Sequence, residues 1–340
     1  MINYTIWKLS KFNSLENFTE LLKANSTFVD ISSKNRGQIE LARTVYNEDS
    51  NIGEIKEQSI DGVLIKYTYF TANAQKCKKN DITNLYEAVD HEENVIVYAF
   101  GGALFMVVLA SLTNATTIIK KIFNNTELWG EILPYEYMDE DILYWLFYRL
   151  REHSEECILQ NPVLALNGIV SYLGRTEDNR NVVRGLGIRV SALLGTLGML
   201  IGEENLRALR PMIQYNDHEM NVELVVGNAG RIYEQRYVGE LALDFENDKQ
   251  QSSVTLVLFV CCCVIPALLE GYHKDLSRGK WSLLIKYQFL SSTGNEMIYK
   301  VKSQLTKIEK EIQLNDELND IEDEYADDEE FKDLEDEIDN

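Results

Sequence analysis

Apolar residues recur with several different periods along these 340 residues, and the changes of period divide the chain. Tyr4 to Leu9 alternates in the manner of a half-buried strand. Ser14 to Ala24 carries apolar residues at helical spacing behind a serine suited to capping, and Gly62 to Phe70 is rich in β-branched and aromatic residues. Val95 to Phe100 and Ala103 to Leu109 flank Gly101-Gly102; such runs fit two buried strands or one buried helix, and periodicity does not choose between them. Residues 1–135 are therefore expected to form a mixed α/β region.

Beyond that point the pattern turns helical. Asp139-Glu140-Asp141 places acids where the helix dipole favours them, and Ile142 to Arg151 supplies an apolar face. Gly202-Glu203-Glu204 is expected to open a helix that runs through Arg210 and stops at Pro211. Asn221 to Val226 and Ile232 to Phe245 read as strand-like or mixed, and Val254 to Leu269 as a buried helix or strand. Ile298, Val301, Leu305, Ile308 and Ile312, spaced three and four residues apart, make an amphipathic helix whose partner is the body or a second subunit. The expected fold class is mainly α with a mixed α/β N-terminal region, in two lobes, with residues 136–315 as the helical lobe.

Charge changes this picture at the C-terminus. The chain has 33 basic and 55 acidic residues, net −22; Asp316 to Asn340 holds 15 acids and one base, so the remainder carries only −8. Residues 316–340 read as an acidic tail, solvated and disordered or folding when it docks on a basic partner. A mildly acidic body leaves room for a local basic groove.

Chemistry is sparse. The five cysteines, three of them consecutive at Cys261, Cys262 and Cys263, have no CxxC spacing, so neither a disulfide framework nor a zinc site is expected. No phosphate loop, GxSxG elbow or HExxH occurs, and His91, His153, His218 and His273 are scattered, so no enzyme activity, cofactor or metal is expected. The N-terminus lacks a basic segment followed by an apolar one, which points to a cytoplasmic protein. Asn94 to Ile119 and Gln251 to Leu269 carry no charge and are long enough to cross a bilayer, so buried core and membrane insertion both remain open for them.

Between Lys121 and Lys249 there is no lysine, yet there are ten arginines, eight of them from Arg175 to Arg236. They either pair with the acids of the same stretch or form an anion-binding surface around Arg175, Arg180, Arg184 and Arg189. Arginine suits the second role because its planar fork grips phosphate and keeps its charge when partly buried.

Ser191 to Leu200, Glu203 to Arg210 and Val222 to Val226 form an ordered series, continued by an acidic piece (Gly239 to Glu246) and the apolar run Val254 to Leu269. Ile285-Lys286-Tyr287-Gln288 and Asn295 to Lys300 close it. Over roughly residues 160–305 this series resembles the N-terminal lobe of paramyxovirus and pneumovirus nucleoproteins. The resemblance implies a protein that encapsidates single-stranded viral genomic RNA between two helical lobes, oligomerises along it and is virion-associated. By that resemblance Lys286 falls at a cationic RNA contact with Gln288 beside it, and Tyr287 is placed to stack on a base. Arg184, Arg189, Arg207 and Arg210 are the expected phosphate contacts, and on this reading the acidic tail is offered to a polymerase cofactor. The competing expectations are an acidic adaptor acting through the 298–312 helix and the tail, and a membrane-associated protein.

Overall fold

The computed structural model describes residues 1–34, 37–47, 51–176, 182–187, 198, 204–241 and 249–332. Sixteen strands are present among them: β1 (Ile2–Leu9), β2 (Thr27–Lys34), β3 (Gly37–Tyr46), β4 (Lys56–Ile60), β5 (Val63–Ala74), β6 (Lys76–Lys79), β7 (Tyr86–Val89) and β8 (Glu92–Phe100), followed by β9 (Ala103–Val108), β10 (Ile132–Pro134), β11 (Leu159–Gln160), β12 (Val163–Thr176), β13 (Val182–Leu186), β14 (Glu204–Tyr215), β15 (His218–Val225) and β16 (Ala229–Ile232). The helices are α1 (Leu15–Ala24), α2 (Leu112–Ile122), α3 (Thr126–Trp129), α4 (Glu140–Glu152), α5 (Lys249–Phe259), α6 (Ile265–Ser277) and α7 (Leu283–Lys332).

Fourteen of the strands form one antiparallel sheet in the order β11-β12-β14-β15-β16-β1-β9-β8-β5-β3-β2, with β13, β10 and β4 as side branches. β1 lies in the middle. Its Ile2 to Thr5 pair with β16 while Thr5 to Leu9 pair with β9, so β1 joins the two halves of the sheet. Alternation along β1 sends Ile2, Tyr4 and Ile6 into one core and Trp7 and Leu9 into another.

The first core is covered by α4 and by the continuous helix α5–α6, which contains a π-helical turn at Val260–Val264. That helix, Gln250–Ser277, is long and apolar enough to span a bilayer, but 83% of its apolar window is buried inside the protein, which makes it the central core helix. The second core lies on the opposite face, where α1, α2 and α3 pack on the half built from β1, β9, β8, β5 and β3. Two helix starts follow the sequence closely: Ser14 accepts from the Asn17 backbone N–H to cap α1, and Asp139 accepts from Ile142 N–H to cap α4. Gly101 and Gly102, both at positive φ, turn β8 into β9, so the uncharged run around them is a buried hairpin.

The expected mainly α class is wrong. With 40% of residues in strands and 38% in helices the protein is mixed, and the antiparallel sheet continues through the region expected to be a helical lobe. The clearest single correction is Glu204 to Arg210, expected as a helix and found as the first half of β14. The apolar spacing misleads there for a physical reason. Leu173 pairs with Ala208 and Gly174 with Leu206, so Arg207 is an extra residue in a bulge, and Leu206 and Leu209, three apart as in a helix, both reach the same core. Pro211 is tolerated mid-strand because the ladder to β12 is irregular on either side of Ile169, and no pairing to β15 spans positions 210 and 211. α7 includes residues 316–332 of the stretch read from composition as a tail that is disordered or folds on a partner.

Candidate anion-binding site

On the face of the sheet opposite α4 and α5, the strands β12 to β16 carry no helix among the described residues. Tyr172, Leu209, Val222, Leu224 and Ile232 point into the first core, so the residues alternating with them point out. Those outward positions hold Ser171 and Leu173 on β12, Ala208 and Arg210 on β14, Glu223 and Val225 on β15, and Arg231 on β16. The registers place Arg231 opposite Glu223, Ser171 opposite Arg210, and Leu173 between Arg184 of β13 and Ala208. Together with Arg175 near the end of β12 they line a depression of about 360 Å³.

Four guanidinium groups and a single carboxylate thus line one depression on a sheet face that bears no helix among the described residues, although Ser171, Ala208 and Glu223 at its floor are themselves buried. The carboxylate, Glu223, is buried; it accepts from Arg231 Nη1 at 3.2 Å and from the Tyr233 hydroxyl at 2.9 Å. Arg231 also donates from Nε to Asn3 Oδ1 at 3.0 Å, so it is held from both sides. Arg210 stacks its guanidinium 4.4 Å from the Tyr233 ring centroid, and its buried Nε has no hydrogen-bond partner. Among the described residues no carboxylate pairs with Arg175, Arg184 or Arg210. A buried donor left without an acceptor is unfavourable.

Of the residues singled out from sequence, the structure brings Arg184 and Arg210 together in this depression, with Arg175. Arg207 occupies the β14 bulge and is not among the lining residues. Arg189 and Arg180 lie outside the described residues, as does Ser191 to Leu197. Arg231 was not singled out; its signal was an arginine at an outward position of β16, opposite the one acid of an otherwise apolar Val222 to Val226.

Lys286, Tyr287 and Gln288 belong to a different place, the root of α7 on the α4 side of the sheet. There Asp141 accepts from Lys286 Nζ at 2.9 Å, Trp281 Nε1 at 2.8 Å and the Tyr272 hydroxyl at 2.8 Å, while the Lys286 ammonium sits 4.3 Å from the Tyr144 ring centroid. Burial pushes the Asp141 carboxyl up, but the three donors outweigh it and hold it below the usual carboxylate range. Lys286 therefore fastens α7 to α4 and is not part of the arginine face. Tyr287 and Gln288 are exposed on the outer side of α7.

A larger hollow of about 700 Å³ between β1, β5, β8 and α5 is lined by Glu92, Glu93 and Glu234 with no lysine or arginine, and so disfavours anions. All five cysteines are free, and Cys261, Cys262 and Cys263 are buried in the π-helical turn. Among the described residues no cluster of metal-ligating side chains is present. No protein-family model and no curated protein matches the chain.

Proposed function

We propose that the chain is an RNA-binding protein that holds a single strand by its phosphates across the open face of β12 to β16, with Arg175, Arg184, Arg210 and Arg231 as the contacts. The observation that carries this reading is the gathering of four arginines around one already satisfied carboxylate. A guanidinium offers phosphate two parallel N–H donors, and among the described residues three of the four have no carboxylate paired with them. Extent separates a strand from a lone phosphate. From β16 to β13 the row crosses four strand spacings, about 19 Å at roughly 4.8 Å each. That length suits a chain of phosphates better than one small ion.

The encapsidating role suggested by the resemblance rests on the same contacts but no longer on two helical lobes, since the region concerned is largely sheet. The test is fluorescence anisotropy of a labelled single-stranded RNA against salt concentration. Each phosphate contact contributes a slope of about −0.7 in log K against log salt for single strands. The double variant Arg184→Ala/Arg210→Ala is expected to weaken binding and flatten the slope by about 1.4 for its two lost contacts. Salt-independent binding by the wild type, or an unchanged slope in the double variant, defeats the reading.

A further inference from the structure

The face of α7 that points away from the body carries a seam, apolar except at Ser291 and Gly294, whose large side chains are exposed. Leu284, Tyr287, Ser291, Gly294, Ile298, Val301, Leu305, Ile308 and Ile312 follow one another at alternating steps of three and four. At the root, the body docks on the other side of the helix, where Phe289 and Thr293 are buried, while Leu284 is 64% and Tyr287 68% exposed. Further out, Leu305, Ile308 and Ile312 remain more than half exposed. The seam is thus not a spare part of the body core. Its heptad period is that of a helix built to lie along another helix.

Charge identifies the partner and its direction. Residues 298–310 contain four lysines and one glutamate, whereas 311–323 contain six acids and no base. With Ile298, Leu305 and Ile312 at the first core position of each heptad and Val301 and Ile308 at the second, Lys302 and Glu309 fall on the flank next to the seam. In a parallel pair, Lys302 would flank Met297 of the other helix and Glu309 would flank Gln304. Glu311 would meet Asp316, and the two acidic ends would lie side by side. In an antiparallel pair centred on Leu305 and Ile308, Lys302 of each helix meets Glu309 of the other, and the acidic ends are carried to opposite poles. The same sequence is therefore complementary to itself in one direction only.

We propose that α7 pairs antiparallel with α7 of a second copy of this chain, Leu305 packing on Ile308 and Lys302 facing Glu309 across the seam. The pairing rests on the helix alone and is independent of the RNA reading, so it is measured on nuclease-treated, nucleic-acid-free protein.

Sedimentation equilibrium of the full chain is expected to give a dimer at micromolar concentration. Leu305→Glu/Ile308→Glu is expected to give a monomer whose body unfolds at the wild-type denaturant midpoint, because both side chains are more than half exposed. Lys302→Glu and Glu309→Lys should each weaken the dimer about tenfold, since both symmetry-related pairs turn repulsive, and the double swap should restore it. A monomeric wild type overturns the proposal, as does a dimer that survives the Leu305/Ile308 change. Single charge reversals without effect, or a double swap that fails to rescue, overturn the antiparallel direction.

Discussion

At position 230 a missing methyl group decides how closely two strands and two tyrosines can pack. A Cβ on Gly230 would sit 2.4 Å from both Cζ and Oη of Tyr4 and 2.9 Å from the Tyr137 hydroxyl, and Tyr4 is fully buried with its hydroxyl 3.0 Å from that of Tyr137. Neither ring has room to retreat, so Gly230→Ala is expected to destabilise the protein by about 1–3 kcal/mol through overpacking. A lowered urea midpoint checks this, and an unchanged one would show that the tyrosine pair yields freely. Asp141 makes a second residue-scale case. Its folded-state pKa lies below the ordinary value of about 3.9, so its contribution is present above that value and lost as pH falls through the depressed one. The stability gap between wild type and Asp141→Asn should accordingly be open at neutral pH and close in strong acid. Denaturant titrations at both ends of that range measure it, and a gap that widens on acidification would reverse the assignment.

At the scale of elements, the three consecutive cysteines show how a local composition acquires an environment. The π-helical turn widens the helix at Val260–Val264 and leaves Cys261, Cys262 and Cys263 all facing protein, since neighbouring elements surround this helix. Burial pushes all three thiols up, that of Cys263 to about 12, and thiolate is the reactive form. A thiol reagent should thus modify only Cys77 and Cys157 rapidly in the native protein and all five in denaturant; fast labelling of a third site by peptide mapping would contradict the packing. Burial of this run was legible from its apolar context. So were β1, the capped starts of α1 and α4, and the heptad of α7, because each follows one undisturbed period. The bulge at Arg207 was not legible. It inserts one residue into a period of two, and Leu206 and Leu209 then mimic a helix. The candidate site shared that fate. Arg184 and Arg210 stood out as arginines, but their meeting with Arg231 depends on strand pairings across 47 residues of chain that no local pattern encodes.

The whole molecule is tied together at β1, which has one half of the sheet on each side and a separate core on each face. Tryptophans report on both cores: Trp7 and Trp129 lie in one, Trp145 and Trp281 in the other, and all four are buried. If the two halves were independent domains, each pair would sense its own transition. A shared strand forbids this, because losing β1 from either half strips pairing from β9 and β16 alike. Variants retaining only one tryptophan pair, the other two changed to phenylalanine, should therefore unfold in urea at one common midpoint when each is compared with full-spectrum circular dichroism of the same variant. Two separated transitions within one variant would mean that the sheet parts at β1 before either core melts. The part of α7 from Leu305 to Leu314 is exposed on its apolar seam, so its amides should exchange far faster than those of β1 in the isolated monomer. Slow exchange there in the wild type, abolished by Leu305→Glu/Ile308→Glu, is what antiparallel pairing of two copies demands.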